Sequence, residues 1–144
     1  MKLSDIIAFD LGRNLGIWDG KKAYTKHLTA KEHDELFLDA TEFFYELLQV
    51  HRNKVVVYEE IMFTKFTKAA QIGFGLRAIL LNAAKRLNMQ IYGYAPTTIK
   101  KEIAGGGRAN KQDVFDSVKK YSPDSFDSAD AVAAALTHIK KLEV

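Results

Sequence analysis

The sequence predicts a mixed α/β domain, a mixed five-stranded sheet flanked by helices, on three observations. Short apolar segments alternate with longer ones whose apolar residues recur every three or four positions. Their order is three strands, helix, strand, helix, strand and then helices, with no repeat, low-complexity stretch or linker to divide the chain into more than one domain. Two strand segments, 6–10 and 55–59, are continuously apolar and end in acid. A run of that kind fits a strand buried on both faces, and parallel neighbours would bring both acidic ends to one edge of the sheet.

In chain order, residues 5–12 form the first strand and the small, polar Gly12-Arg13-Asn14-Leu15-Gly16 forms the turn after it. Residues 15–18 resume an apolar run, with Trp18 a packed strand residue, and Asp19-Gly20 is a hairpin signal leading to a third strand over 22–28. Between 31 and 51 the residues Leu36, Phe37, Ala40, Phe43, Phe44, Leu47 and Leu48 make one helical stripe, with Glu32, Asp34 and Glu35 solvated in the first turns. Val55-Val56-Val57-Tyr58 is a β-branched strand closing in Glu59-Glu60.

A loop over 61–67 sets Lys65 and Lys68 around Phe63 and Phe66, and a second long helix spans 68–87. Its Gly73 and Gly75 cost helix stability and would let another backbone approach, a partner subunit being one candidate. A fifth strand covers 89–94, and Pro96 starts a short helix over 97–104. Gly105-Gly106-Gly107 then leads through Arg108 to a helix over 111–121, capped by Asn110, and the last helix spans 126–140. His138, eight residues or about 12 Å beyond Asp130 along that helix, is expected at the surface.

Cysteine is absent, so disulfides, thiolate metal sites and cysteine nucleophiles are excluded. Neither a membrane-length apolar run nor a signal-peptide pattern is present, and the expected location is the cytoplasm. The net charge of +3 decides little, but with four acids committed to a metal site 21 basic residues face 14 acidic ones. The resulting +7 suits a polyanion such as nucleic acid.

The acids carry the chemistry. Asp10 closes a strand built for burial, where an ionised carboxylate needs a metal or cationic partner unless it serves the turn. Glu59 and Glu60 point to opposite faces, so one of them can join Asp10, and spacing does not say which. Asp127 and Asp130 share a helix face, and Asp130 begins a stretch, Ala131-Val132-Ala133-Ala134-Ala135-Leu136, that is apolar on nearly every side. Capping or dipole compensation accounts for Asp124 and competes for Asp127. Three or four such oxygens make a hard site for Mg²⁺ or Mn²⁺.

Ile7-Ala8-Phe9-Asp10-Leu11-Gly12, Tyr58-Glu59-Glu60, Ala95-Pro96-Thr97-Thr98-Ile99-Lys100, the Gly-rich Arg108-Ala109-Asn110-Lys111, and Asp127-Ser128-Ala129-Asp130-Ala131-Val132-Ala133 resemble, in order, the RuvC-type Holliday junction resolvases. The likeness runs from about residue 5 to 139 and is especially to the short phage-encoded members. It implies a ribonuclease H-like fold and two Mg²⁺ ions, replaceable by Mn²⁺, on the four carboxylates Asp10, Glu59, Asp127 and Asp130. The tie at 59 and 60 is thereby broken in favour of Glu59.

The resemblance also implies roles beyond the acids. Lys100 and Lys111 match lysines near the scissile phosphate and DNA backbone, Lys111 as a catalytic group, while Arg13, Lys65, Lys68 and Arg108 are further DNA-binding candidates. Where bacterial members carry a DNA-wedging Phe this chain has Met62, with Phe63 beside it. The expected activity is two-metal phosphodiester hydrolysis on four-way DNA junctions or other branched DNA by a homodimer, serving recombination and repair, in the host bacterial cytoplasm if phage-encoded. Rival readings are a nuclease of the same fold acting on flaps or RNA·DNA hybrids, a non-catalytic junction-binding module, and a sugar-kinase or actin-like phosphate loop at residues 10–16, for which the chain is too short.

Overall fold

The structure, a computed structural model, describes residues 1–62 and 65–143. One sheet contains β1 (Ile6–Asp10), β2 (Asn14–Trp18), β3 (Ala23–His27), β4 (Val55–Glu59) and β5 (Ile91–Tyr94), in the order β3-β2-β1-β4-β5. The apolar segment that opens the chain is therefore its central strand, and Ile6, Ile7, Ala8 and Phe9 are all fully buried. Covered on both faces, such a strand has no water-facing set of positions to make polar. β1 is antiparallel to β2 and parallel to β4, which in turn is parallel to β5.

Asp19-Gly20 turns the β2–β3 hairpin. Gly20 takes φ of +95°, and the Asp19 carboxylate accepts from the Lys21 and Lys22 amides at 2.9 Å each. Trp18 is 5% exposed, with Nε1 donating to the Leu3 carbonyl at 3.1 Å.

Alternation along β1 divides the interior in two. Ile7 and Phe9 face a core of large side chains supplied by α1 (His33–Val50) and α2 (Lys68–Arg86), where Phe9 and Phe44 meet edge to face at 5.2 Å. Ile6 and Ala8 face a core dominated by α5 (Phe126–Leu142), whose Ala131, Val132, Ala133, Ala134 and Ala135 are fully buried. Outside α5 lie α3 (Pro96–Ala104) and α4 (Lys111–Ser117).

The structure departs from the sequence expectations at four places. The helix expected over 111–121 ends at Ser117 and continues as a 3₁₀ turn, Lys119–Tyr121. Pro123 disfavours helical backbone at Ser122, which takes φ of +54°. The fifth strand starts at Ile91 because Asn88 (φ +55°) turns the chain back and the Met89 amide closes on the Ala84 carbonyl at 2.9 Å. The α2 glycines are filled from within the chain, since a Cβ on Gly75 would lie 2.3 Å from the Phe37 ring and one on Gly73 would lie 3.1 Å from Ile61.

His138 is the fourth departure, for it is 2% exposed and not a surface residue. Its Nδ1 shares a 2.6 Å hydrogen bond with Tyr94 Oη, its ring packs on Tyr92 at 4.6 Å, and burial holds its pKa low. Distance along the axis does not bring a residue out of α5, because sheet and α3 cover it from opposite sides.

Candidate active site

Asp10 and Glu59 are the last residues of β1 and β4. The parallel register pairs Phe9 with Tyr58, so the two acids follow side by side at one edge of adjacent strands. Glu60 goes the other way. Its Oε1 accepts from Arg77 Nε on α2 at 2.9 Å, and its Oε2 accepts from Tyr58 Oη at 3.2 Å. Strand alternation thus separates the two glutamates, as the sequence required, and leaves Glu59 on the α5 side.

Asp127 and Asp130 arrive from the first turns of α5, which rests almost on bare backbone. Gly16 of β2 pairs with Asp10 in the antiparallel register, and a Cβ on Gly16 would lie 2.0 Å from the Asp127 carbonyl oxygen. Any larger residue would hold the helix off the sheet. A glycine inside a strand pattern is the sequence sign of such close approach, masked here by the small residues of the adjoining turn.

The acids press on one another. Burial and the charges of Glu59, Asp130 and Asp127, against a weaker pull from Lys111, hold Asp10 well above the ordinary carboxylate range. Burial and Asp130 push Glu59 up to about 7 despite Lys111 and Lys100, with Asp127 adding to the rise. Asp130, 8% exposed, is raised by burial, with Lys111, through its charge and a hydrogen bond, opposing the shift.

Two lysines answer this charge. Lys111 opens α4, which Asn110 caps by accepting from the Asp113 amide at 2.8 Å. Its Nζ donates to Asp130 Oδ2 at 3.4 Å. Burial pulls the Lys111 pKa down, but attraction to Asp130, Asp10 and Glu59 outweighs it and leaves the ammonium above its ordinary value. Lys100 of α3 joins Glu59, Lys111 and Asp130 around a cleft of about 100 Å³ that Pro96, Ile99 and Val114 complete.

As the side chains stand, no group of three or more His, Asp or Glu among the described residues is arranged to hold a metal ion. The chemistry of the set nonetheless suits one. Its donors are hard carboxylate oxygens, and the buried Asp130 and half-buried Asp10 and Glu59 have one ammonium, Lys111, in direct contact with the group.

The other sequence candidates spread more widely. Arg13 Nη1 donates to the Leu28 and Ala30 carbonyls at 3.1 and 2.6 Å, so this guanidinium ties the turn after β1 to the chain leaving β3. Lys65, Lys68 and Arg108 are exposed, Met62 is 69% exposed and Phe66 79%, while Phe63 lies outside the described residues. The sequence offered Asp124 only as a cap or dipole partner and did not link it to Thr25 and Ser128. In the fold Asp124 accepts from Thr25 and Ser128 instead of capping α5, whose cap is Ser125, accepting from the Ser128 amide at 3.0 Å.

A mixed sheet of this order with helices on both faces, and with acids at its parallel strand ends, is the architecture of the ribonuclease H-like nucleases. Within that class, residues 24–138 match the model of the family "Crossover junction endodeoxyribonuclease RuvC", a span that begins after Asp10. The RuvC of a Sulfurovum species is 30% identical over 97% of this chain and 98% of its own. The RuvC of Fusobacterium nucleatum is 27% identical over 95% of this chain and 73% of its own. The structure of Thermus thermophilus RuvC in complex with a Holliday junction substrate superposes with a TM-score of 0.76 at 25% identity, covering 95% of this chain and 93% of that one. The chain belongs to the RuvC family and is a metal-dependent endodeoxyribonuclease. Among the described residues no helix is long and apolar enough to cross a membrane.

Proposed function

We propose that this single nuclease domain resolves four-way DNA junctions by hydrolysing phosphodiester bonds at two Mg²⁺ ions, replaceable by Mn²⁺, held by Asp10, Glu59, Asp127 and Asp130. The reading is supported above all by the mutual electrostatic pressure among Asp10, Glu59 and Asp130 beside Lys111. Divalent cations bound there would neutralise charge on the phosphoryl oxygens and acidify the attacking water.

The chain's own groups do the rest. The two strand ends fix Asp10 and Glu59 on rigid backbone, and the close seat on Gly16 brings Asp127 and Asp130 to them. Lys111, already aimed at the cluster, meets the negative charge that develops on the phosphate, a preorganised contribution. Lys100 lines the same cleft and holds the neighbouring DNA backbone, with Lys65, Lys68 and Arg108 adding sequence-independent phosphate contacts. Exposed Met62 offers an apolar surface to unstacked bases at the junction.

Symmetric cutting of two strands calls for a two-fold dimer. The enzyme would work in a bacterial cytoplasm, its own cell's or a phage host's.

Asp10→Asn is expected to abolish cleavage of a synthetic four-way junction while leaving junction binding in Ca²⁺ largely intact. Cleavage at the normal rate would remove Asp10 from the site. Running four-way junction, flap and RNA·DNA hybrid side by side separates a resolvase from a broader nuclease of the same fold.

A further inference from the structure

Paired residues run in line across the sheet from the candidate site to its far edge. Asp10 of β1 pairs with Gly16 of β2, and Gly16 pairs with Thr25 of β3. Each member of this rung meets the start of α5 differently. Asp10 faces the helix's acids, Gly16 lies under the Asp127 carbonyl, and Thr25 grips the residue that leads into the helix.

The grip is dense. Thr25 donates to Asp124 twice, from its amide to Oδ2 at 3.1 Å and from Oγ1 to Oδ1 at 2.7 Å. Fully buried Ser128 donates from Oγ to Asp124 Oδ1 at 2.7 Å, and its Oγ accepts from the Asp124 and Ser125 amides at 3.0 and 3.1 Å. Thr25 Oγ1 and Ser125 Oγ lie 2.7 Å apart. Hydrogen bonds hold the Asp124 carboxylate in its ionised form, its pKa falling below the ordinary value although burial opposes this.

We propose that Thr25 and Asp124 are positioning residues for the metal site: the edge strand, through this carboxylate, sets where Asp127 and Asp130 stand relative to Asp10. Asp127 follows Asp124 by three residues and Asp130 by six, so a shift of the clamp passes along one rigid helix to both. Gly16 supplies room for the helix to come close but no directional contact. Thr25 and Ser128 supply the direction. The inference rests on the reading of these acids as metal ligands.

The test is Mn²⁺ binding to the DNA-free protein by isothermal titration calorimetry, with melting temperature and junction cleavage alongside. Thr25→Val keeps shape and the backbone amide but removes the hydroxyl donor, and Asp124→Ala removes the acceptor. Both are expected to weaken Mn²⁺ binding by about tenfold, as loss of a ligand's supporting contact does, and to raise the Mg²⁺ concentration needed for half-maximal cleavage. Thr25→Ser, which restores the hydroxyl, is expected to recover wild-type affinity. Unchanged Mn²⁺ affinity in Thr25→Val and Asp124→Ala, even with a lowered melting temperature, would overturn the positioning role and leave the clamp a purely structural contact. A wild-type protein that bound no Mn²⁺ would overturn the metal reading itself, and this inference with it.

Discussion

The two faces of the sheet solve the same burial problem with opposite materials. On the α1–α2 face, Phe9, Phe44, Leu36, Leu76 and Leu80 fill the space between helices and strands with bulk. On the α5 face the helix contributes mostly alanine, Ala129, Ala131, Ala133, Ala134 and Ala135, packed with Ile6, Ala8, Val57 and Val132, and it nearly touches strand backbone at Gly16. Large side chains tolerate small displacements by repacking, whereas backbone against backbone has nothing to yield. The first face therefore supports the domain, and the second sets the position of the acids.

A substitution at the tightest contact should break that division most severely. Gly16→Ala sets a Cβ against the Asp127 carbonyl, which must move. The expected result is an overpacking cost of about 1–3 kcal/mol, read by urea denaturation. Misplacing Asp127 and Asp130 should add a loss of about 100-fold in junction cleavage. An unimpaired enzyme would mean that the close seat has no bearing on the site.

The faces should also differ in their response to pH. Metal-free Glu59 ionises near pH 7, against an ordinary value of 4.5. Between those values the native state binds more protons than the unfolded chain. Its stabilisation is therefore complete below about pH 4.5 and is lost as pH rises through 7. Unfolding in EDTA should show the protein about 3 kcal/mol less stable at pH 8 than at pH 4.5 from this residue alone. Asp10 and Asp130 push the same way, and Mn²⁺ should restore the loss at pH 8. A flat profile in EDTA would contradict the crowding of these acids.

The smallest effect belongs to the bulky face. Phe44→Leu removes the ring that meets Phe9 edge to face, and should cost about 1 kcal/mol. Cleavage measured well below the melting temperature should stay at the wild-type rate. A large fall in that rate would show that the α1–α2 face also governs the site.

Much of this was legible residue by residue. The apolar run at 6–9 could be satisfied only in the middle of a sheet, and the stripe from Leu36 to Leu48 only by an amphipathic helix. Asp19-Gly20 prescribed a hairpin through glycine's access to positive φ. Alternation allows one of Glu59 and Glu60 to stand with Asp10, and the resemblance, in which the acid directly follows the strand's apolar run, chooses Glu59. Reach along a helix says nothing of what covers a residue, so it does not reveal that His138 is buried. A basic residue in a small-residue turn has the same sequence appearance whatever it meets, so only the structure shows that Arg13 donates to two carbonyls of its own chain.

By itself, then, the sequence determined which segments are strands and helices, which strand is innermost and which acids are available, since these follow from local periodicity and the cost of burying charge. The tertiary structure alone decided that α5 sits on Gly16, that Thr25 holds Asp124 across 99 residues of chain, and that Glu60 is spent on Arg77. Contacts of that kind depend on the distance between two backbones, and no pattern within either segment encodes it.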